Sequence, residues 1–555
     1  MALVDSQVLR IHSSKYLSGC GTNGVGYISK GRSQCLQTKF CMKRRIPCLK
    51  VTANKLSFAE QKTIHSESPC KYPSHVAWQS VKEERWEGEL QVHGNIPNWL
   101  NGTYLRNGPG IFHIGGYNVN HLFDGYATLV RVQFDNGNVR GAHAQLQSEA
   151  YKTAKKNNRV SHREFSESPK ASNFLSYVGY LVGMLSGASV TDNANVAVVS
   201  LGDGRVICLT ETAKGSIQID PNTLETIGRF NYTDNLGGMN ASQSGHPMIF
   251  DAELITVLPD LVNPGYNVVR MLAGTNERTL IGRVNCRAGH APGWVHSFGV
   301  TENYIIIPEM PLRYSIESIF GGELFKWQPE SKAFMHVLSR VTGEMVRSIE
   351  VPLFMTLHFI NVYEERQELG MKSSIIVDCC EYNSNPSIID RLKLQALRSS
   401  SGEDVFPNSR IGRFTIPLDG TERGQLDVAL PPEKHGRGID MCNINPKYRG
   451  KMYRYIYGCT TQRPCNALNT LTKIDLKKKL TKSWYIDGAI PSEPLFVARP
   501  GAKTEDDGVV ISLVSDKHGG GFAVILDAAT FTEIARAKFA YGLPFGTHGC
   551  WLPKM

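Results

Sequence analysis

A chain of 555 residues, 41% hydrophobic and 20% charged, has ordinary globular composition. Its net charge of +10 does not mark a nucleic-acid binder. Residues 1–59 hold ten Lys/Arg against one acid, Asp5, so the rest of the chain is nearly neutral and offers no basic face for phosphates. No run of eighteen apolar residues exists, so no segment reads as a membrane-spanning helix.

In chain order, residues 1–55 come first: basic, hydroxyl-rich, almost free of acids and without a continuous apolar core. That composition predicts an organelle transit peptide rather than a secretory signal. Residues 56–77 read as a linker and 78–555 as one folded domain. "GCGTNG" (19–24) lacks a βαβ context and carries no dinucleotide site. "SHRE" (161–164) has the H-x-E spacing of a facial iron site, but it follows the lysine- and asparagine-rich "YKTAKKNNRV" and reads as a solvated loop. "FLSYVGYLVGMLSG" (174–187) is uncharged and mixes aromatic with aliphatic residues. It is either a buried core helix or an interfacial segment that dips into lipid. The thirteen cysteines show no metal or disulfide spacing and read as reduced thiols.

Seven segments then share one pattern, a β-rich run, a turn often led by aspartate, and a second β-rich run. They are "LVRVQFDNGNVRGAH" (129), "GSIQIDPNTLETIGRF" (215), "VVRMLAGTNERTLIGRV" (268), "FMHVLSRVTGEMVRSIEV" (334), "IGRFTIPLDGTERGQLDV" (411), "LTKIDLKKKLTKSWYI" (471) and "FAVILDAATFTEIARAKF" (522). Each reads as a β-hairpin. Seven hairpins at this spacing predict an all-β fold, a seven-bladed β-propeller with insertions. An open β-sandwich built from the same hairpins is the alternative.

The residues after the turns favour the propeller. Asp220 is followed 26 residues on by His246, Ala273 after 23 by His296, and Ser339 after 19 by His358. Asp419 is followed after 21 by Asp440, Asp475 after 18 by Glu493, and Asp527 after 21 by His548. In a propeller, the outer hairpin of one blade leads into the innermost strand of the next. These six residues therefore share a phase near the central axis, where four histidines and two carboxylates converge. Neutral imidazole suits iron, zinc, copper and nickel, and the absence of cysteine argues against a structural zinc site. Four neutral ligands call for carboxylates behind them to accept the other ring N–H. Asp440 and Glu493 stand where such partners belong, and Glu211 in "VICLTETAKG" is a third candidate.

The chain resembles the carotenoid cleavage dioxygenase family. The matching pieces include "LNGTYLRNGPG" (100–110), "HLFDGYATLV" (121–130), "TDNANV" (191–196), "CLTET" (208–212), "GHPM" (245–248), "PGWVHSFGVTENYIIIPEMPL" (292–312), "LHFINVYEE" (357–365), "PSEPLFVARPGAKTEDDGVVISLV" (491–514) and "YGLPFGTHGCWLP" (541–553). The likeness runs from about Trp78 to the end. "EERWEGEL", "DMCNINPKYRGKMYRYIYG", "CTTQRPCN" and "GLPFGTHGCW" look most like its plant strigolactone-pathway branch.

The resemblance implies a helical and loop dome over an axial non-haem iron(II), with His246, His296, His358 and His548 as ligands. It places Glu211 behind His296, Glu493 behind His548, and Asp440 behind His358, where the family commonly has glutamate. Aspartate is one methylene shorter, so a direct bond requires the backbone to move in or a water to bridge. The implied reaction is O2-dependent scission of one double bond of a conjugated polyene. In this branch that means 9-cis-β-apo-10′-carotenal to carlactone. The alternatives are another regiochemistry, such as all-trans-β-apo-10′-carotenal to β-apo-13-carotenone, and an O2-independent isomerohydrolase. The implied compartment is the plastid stroma, with peripheral membrane contact through Phe174, Leu175, Leu181, Phe320 and Trp327 at a tunnel mouth. No nucleic-acid partner is expected, and no protein partner is legible.

Overall fold

The computed structural model describes residues 75–554 except 172, 213, 237–241, 251, 366–372, 400–405, 421–422, 437 and 463–464. The expected transit segment 1–55, with "GCGTNG", and residues 56–74 of the expected linker lie outside the described residues. Residues 75–77 belong to the fold rather than to a linker, because His75 and Ala77 are buried.

The strands form seven antiparallel blade sheets beside two small two-stranded ones among the described residues. Each of the seven hairpins read from the sequence is an adjacent strand pair. Ser216–Ile219 pairs with Thr226–Arg229, Gly265–Leu272 with Arg278–Asn285, and Ala333–Ser339 with Met345–Val351. The turns carry the residues that turn chemistry demands. Asp220, Asp475 and Asp527 accept backbone N–H groups two and three residues on. Strand interiors are buried on both faces, so side chains of neighbouring blades interdigitate and the core is distributed around the ring.

Two devices close the ring. The C-terminal strand Gly549–Pro553 pairs with Gly102–Arg106 and is the innermost strand of the blade built from the first part of the chain. A Cβ on Gly549 would stand 2.1 Å from the Leu105 carbonyl oxygen, so only glycine allows this approach. The N-terminal strands Arg85–Glu89 and Gln91–Gly94 follow one another directly. The first edges that same blade against Asn138–Gln145, and the second edges the last blade against Glu533–Phe539.

Insertions between strands build a dome over the axis, including helices α1 (Glu149–Asn157) and α2 (Phe174–Leu185). Helix α2 begins at a capping box between Asn173 and Ser176. It is not a core helix: Phe174 and Leu175 are 77% and 80% exposed, and Val182 and Leu185 also face outward. At twelve residues it is about 18 Å long, far short of a bilayer core. Beside it lies the 3-10 helix Ile316–Phe320, with Ile316 and Phe320 exposed. Of the other expected members of this patch, Leu181 of α2 is half-buried, and Trp327 is partly buried against the main core cluster.

Deleting residues 546–555 should remove both a closing strand and His548. The expected outcome is loss of bound metal and a lowered melting temperature, measured by metal analysis and calorimetry. Retention of metal would contradict this closure.

Candidate metal centre

The blade topology delivers the six residues of common phase to one place. His246 precedes the inner strand Met248–Phe250, His296 precedes Gly299–Val300, and His358 lies in Thr356–Glu365. Asp440 lies in Ile439–Asn443, Glu493 falls between Ile490–Pro491 and Leu495–Ala498, and His548 precedes Gly549–Pro553. The structure brings the four histidines together, with one ligand nitrogen from each within 4.8 Å of the others. Nε2 of His246 is 3.2 Å from that of His296, His296 is 3.3 Å from His358, and His358 is 3.1 Å from His548.

Carboxylates hold three of these rings from behind. Nδ1–H of His296 donates to Glu211 Oε1 at 2.5 Å, His358 to Asp440 Oδ1 at 2.5 Å, and His548 to Glu493 Oε1 at 3.0 Å. His246 has no carboxylate partner among the described residues. A proton committed to Nδ1 leaves a lone pair on Nε2. On His296, His358 and His548 such lone pairs are turned on one another at contact distance with no donor between them. A cation at their centre resolves the conflict, so the donor set fits a divalent metal.

The electrostatics agree. Burial, reinforced by the neighbouring rings, holds His246 well below the usual histidine range. Burial also takes His548 down to about 4 despite Glu493. For His358 burial is outweighed by Asp440, and its proton affinity rises. The field that favours a proton there also favours a metal cation. Burial opposes ionisation of Glu493, but His548 and Arg106 outweigh it and hold the carboxyl at about 2.

Behind these carboxylates stands a further layer that sequence reasoning missed. Arg106, fully buried, donates to Glu493 Oε2 at 2.6 Å and to the Glu493 carbonyl at 2.5 Å. Trp294 Nε1–H donates to Glu211 Oε2 at 2.6 Å. The Tyr382 hydroxyl donates to Asp440 Oδ2, and the Met441 N–H donates to Oδ1 at 2.8 Å. Arg106 and Trp294 sit inside quoted motifs, two residues from Gly108 and from His296, but nothing in spacing assigns their partners.

The short aspartate reaches His358 directly, with no water needed. The inner strand is irregular where it must be: the pairing register shifts between Asp440 and Asn443. Met441 adopts φ 52°, a left-handed conformation that a bulky side chain rarely takes. The direct bond is thus made from an irregular stretch of the inner strand.

A cavity of about 590 Å³ opens onto the histidines. Its walls are mainly apolar, with Phe123, Phe165, Trp294, Phe325 and Phe545 among them, and Leu185 of α2 and Ile319 reach its rim. "SHRE" is corrected here. Arg163 and Glu164 are buried and stand in the cavity wall instead of in a solvated loop. The reason is tertiary, since the segment is tied down by Arg163 N–H to the Ser189 carbonyl and Thr191 N–H to the Arg163 carbonyl.

Replacing His358 by alanine should abolish metal binding and activity together. Asp440→Ala should keep the ligands but weaken metal affinity by about 10–100-fold, read by competition titration with a chelator. Unchanged affinity would remove Asp440 from the supporting role.

The chain matches the family model described as Retinal pigment epithelial membrane protein over residues 78–553. It is 58% identical over 484 residues to carotenoid cleavage dioxygenase 8 homolog B, chloroplastic, of Oryza sativa, covering 86% of this chain and 85% of the relative. It is 56% identical over 506 residues to carotenoid cleavage dioxygenase 8, chloroplastic, of Arabidopsis thaliana, covering 89% and 88%. Cobalt-substituted apocarotenoid oxygenase of Synechocystis superposes with a TM-score of 0.72 at 25% identity, covering 87% of this chain and 99% of that one. The four-histidine cluster fits the iron site of such enzymes. With its axial histidines, their carboxylate supports and these relatives in agreement, the chain belongs to the carotenoid cleavage dioxygenase family.

Proposed function

We propose that the protein uses iron(II) and O2 to cleave one conjugated C=C bond of an apocarotenoid, taking 9-cis-β-apo-10′-carotenal to carlactone in strigolactone biosynthesis. The observation that carries this reading is the four-histidine axis at the end of an apolar cavity. His246, His296, His358 and His548 would hold the metal, with Glu211, Asp440 and Glu493 supporting three of the rings. Iron(II), when bound, supplies the one-electron chemistry that lets ground-state O2 react with a polyene double bond.

The chain's own contribution is positional. Hydrogen bonds to three carboxylates lock the ring planes and tautomers, so the ligand nitrogens stay directed at the axis. The mainly apolar, aromatic walls would exclude water and hold a polyene so that one double bond lies at the axis. Scission requires no protein acid or base. Relatives at 56–58% identity are named as carotenoid cleavage dioxygenases of the chloroplast, which supports the substrate class and, with the acid-poor first 55 residues, a plastid location.

The dome supports peripheral docking on a plastid membrane. Exposed Phe174, Leu175, Val182, Ile316 and Phe320 lie beside one another near the cavity rim. A substrate dissolved in lipid would then pass directly into the cavity.

Purified protein loaded with iron(II) should bleach β-apo-10′-carotenal isomers only when O2 is present, the 9-cis isomer giving carlactone. Conversion without O2 would favour the isomerohydrolase reading instead. Phe174→Glu, Leu175→Glu and Phe320→Glu together should cut liposome flotation by about tenfold while leaving turnover in detergent unchanged. Undiminished flotation would remove the membrane role.

A further inference from the structure

Nine residues other than glycine have a positive φ among the described residues. Met441 alone of these lies inside a strand, Ile439–Asn443, at φ 52°. The others fall in the connections between strands and helices, where turns call for such a backbone. A left-handed backbone costs free energy for any residue with a Cβ, and native structures keep that strain mostly at functional sites.

Part of the reason lies in the backbone. The Met441 N–H donates to Asp440 Oδ1 at 2.8 Å, the same oxygen that accepts Nδ1–H of His358. Every residue but proline supplies that N–H, and glycine would take this φ without strain. The backbone bond therefore does not explain a methionine, and the strain points to the side chain. Met441 is 6% exposed and stands in the wall of the apolar cavity, as do His358, Phe406 and Leu468. Its thioether chain is unbranched, apolar and polarizable, which suits contact with a conjugated π-system.

We propose that Met441 is a specificity-determining residue, whose side chain limits how far a polyene advances past the axis and so selects the double bond presented there. The inference rests on the apocarotenoid reading above and adds to it the residue of this chain that sets the register. Met441 follows directly on the carboxylate that fixes His358, so one short stretch of strand positions both a ligand ring and the wall beside it. The left-handed backbone is the cost of placing a bulky side chain at that point. A single methylene in an apolar pocket discriminates by about 10–200-fold, so the length of this side chain is enough to decide between neighbouring double bonds.

The test gives iron-loaded protein β-apo-10′-carotenal and O2, then separates the products by chromatography and identifies them by mass. Native protein should give one pair of scission products. Met441→Gly keeps the N–H to Asp440 and relieves the left-handed strain. It should hold iron within about threefold of the native affinity in competition with a chelator, unlike a variant that loses the support of His358. The share of products cut at neighbouring double bonds should rise about tenfold. Met441→Leu retains the apolar bulk and should keep the native product pattern. Where the glycine variant does not fold, Met441→Asn serves in its place, since asparagine also tolerates the left-handed region. The quantity compared is the ratio of products within each variant, which a partly misfolded preparation does not change. An unchanged ratio in the folded, iron-bound Gly or Asn variant overturns the role of Met441, as does an equal shift in Met441→Leu. Loss of iron from both smaller variants assigns the residue to holding Asp440 alone and overturns it too. Native protein that cleaves no apocarotenoid overturns the apocarotenoid reading itself, and this role with it.

Discussion

Four imidazole nitrogens directed at one another about 3 Å apart are the constraint that organises this molecule. They repel without a cation, and they keep their aim only because three rings lean on carboxylates. Each carboxylate is in turn held, Glu493 by Arg106, Glu211 by Trp294, and Asp440 by Tyr382 and the Met441 N–H. The centre is therefore a set of nested hydrogen bonds that runs from the axis out into the blades. Such a network is stiff because each group is bonded on both sides, and it sits in a low-dielectric interior where those bonds are strong.

The same network links the site to the stability of the ring. Arg106 comes from a strand near the start of the domain, Glu493 from the last blade, and His548 from the closing tail. A buried pair such as Arg106–Glu493 contributes little relative to an apolar pair of equal size. Breaking it by removing one partner costs roughly 3–5 kcal/mol, because a charge is left uncompensated. Ring closure and site assembly thus share side chains.

Above the axis the polarity falls. The histidines are followed by mainly apolar, aromatic cavity walls, and then by the uncharged outer face of α2 and its neighbour.

The sequence by itself determined the periodic part of this protein. Seven turn-and-strand signals revealed the blades, because a β-hairpin is a local structure whose turn chemistry is written in adjacent residues. The shared position of each, 18 to 26 residues after a turn and at the entrance to the next inner strand, then singled out His246, His296, His358, Asp440, Glu493 and His548, since propeller geometry brings the entrances of inner strands to a common axis. Only the tertiary structure decided what depends on contact between distant segments. It decided that Asp440 reaches His358 directly beside a left-handed Met441, that Arg106 and Tyr382 stand behind the carboxylates, and that Trp327 packs against the main core cluster. It also decided that Arg163 and Glu164 of "SHRE" are buried. A lysine-rich approach reads as solvated in one dimension, whereas burial is set by which remote strands and loops happen to cover a segment, and no local pattern records that.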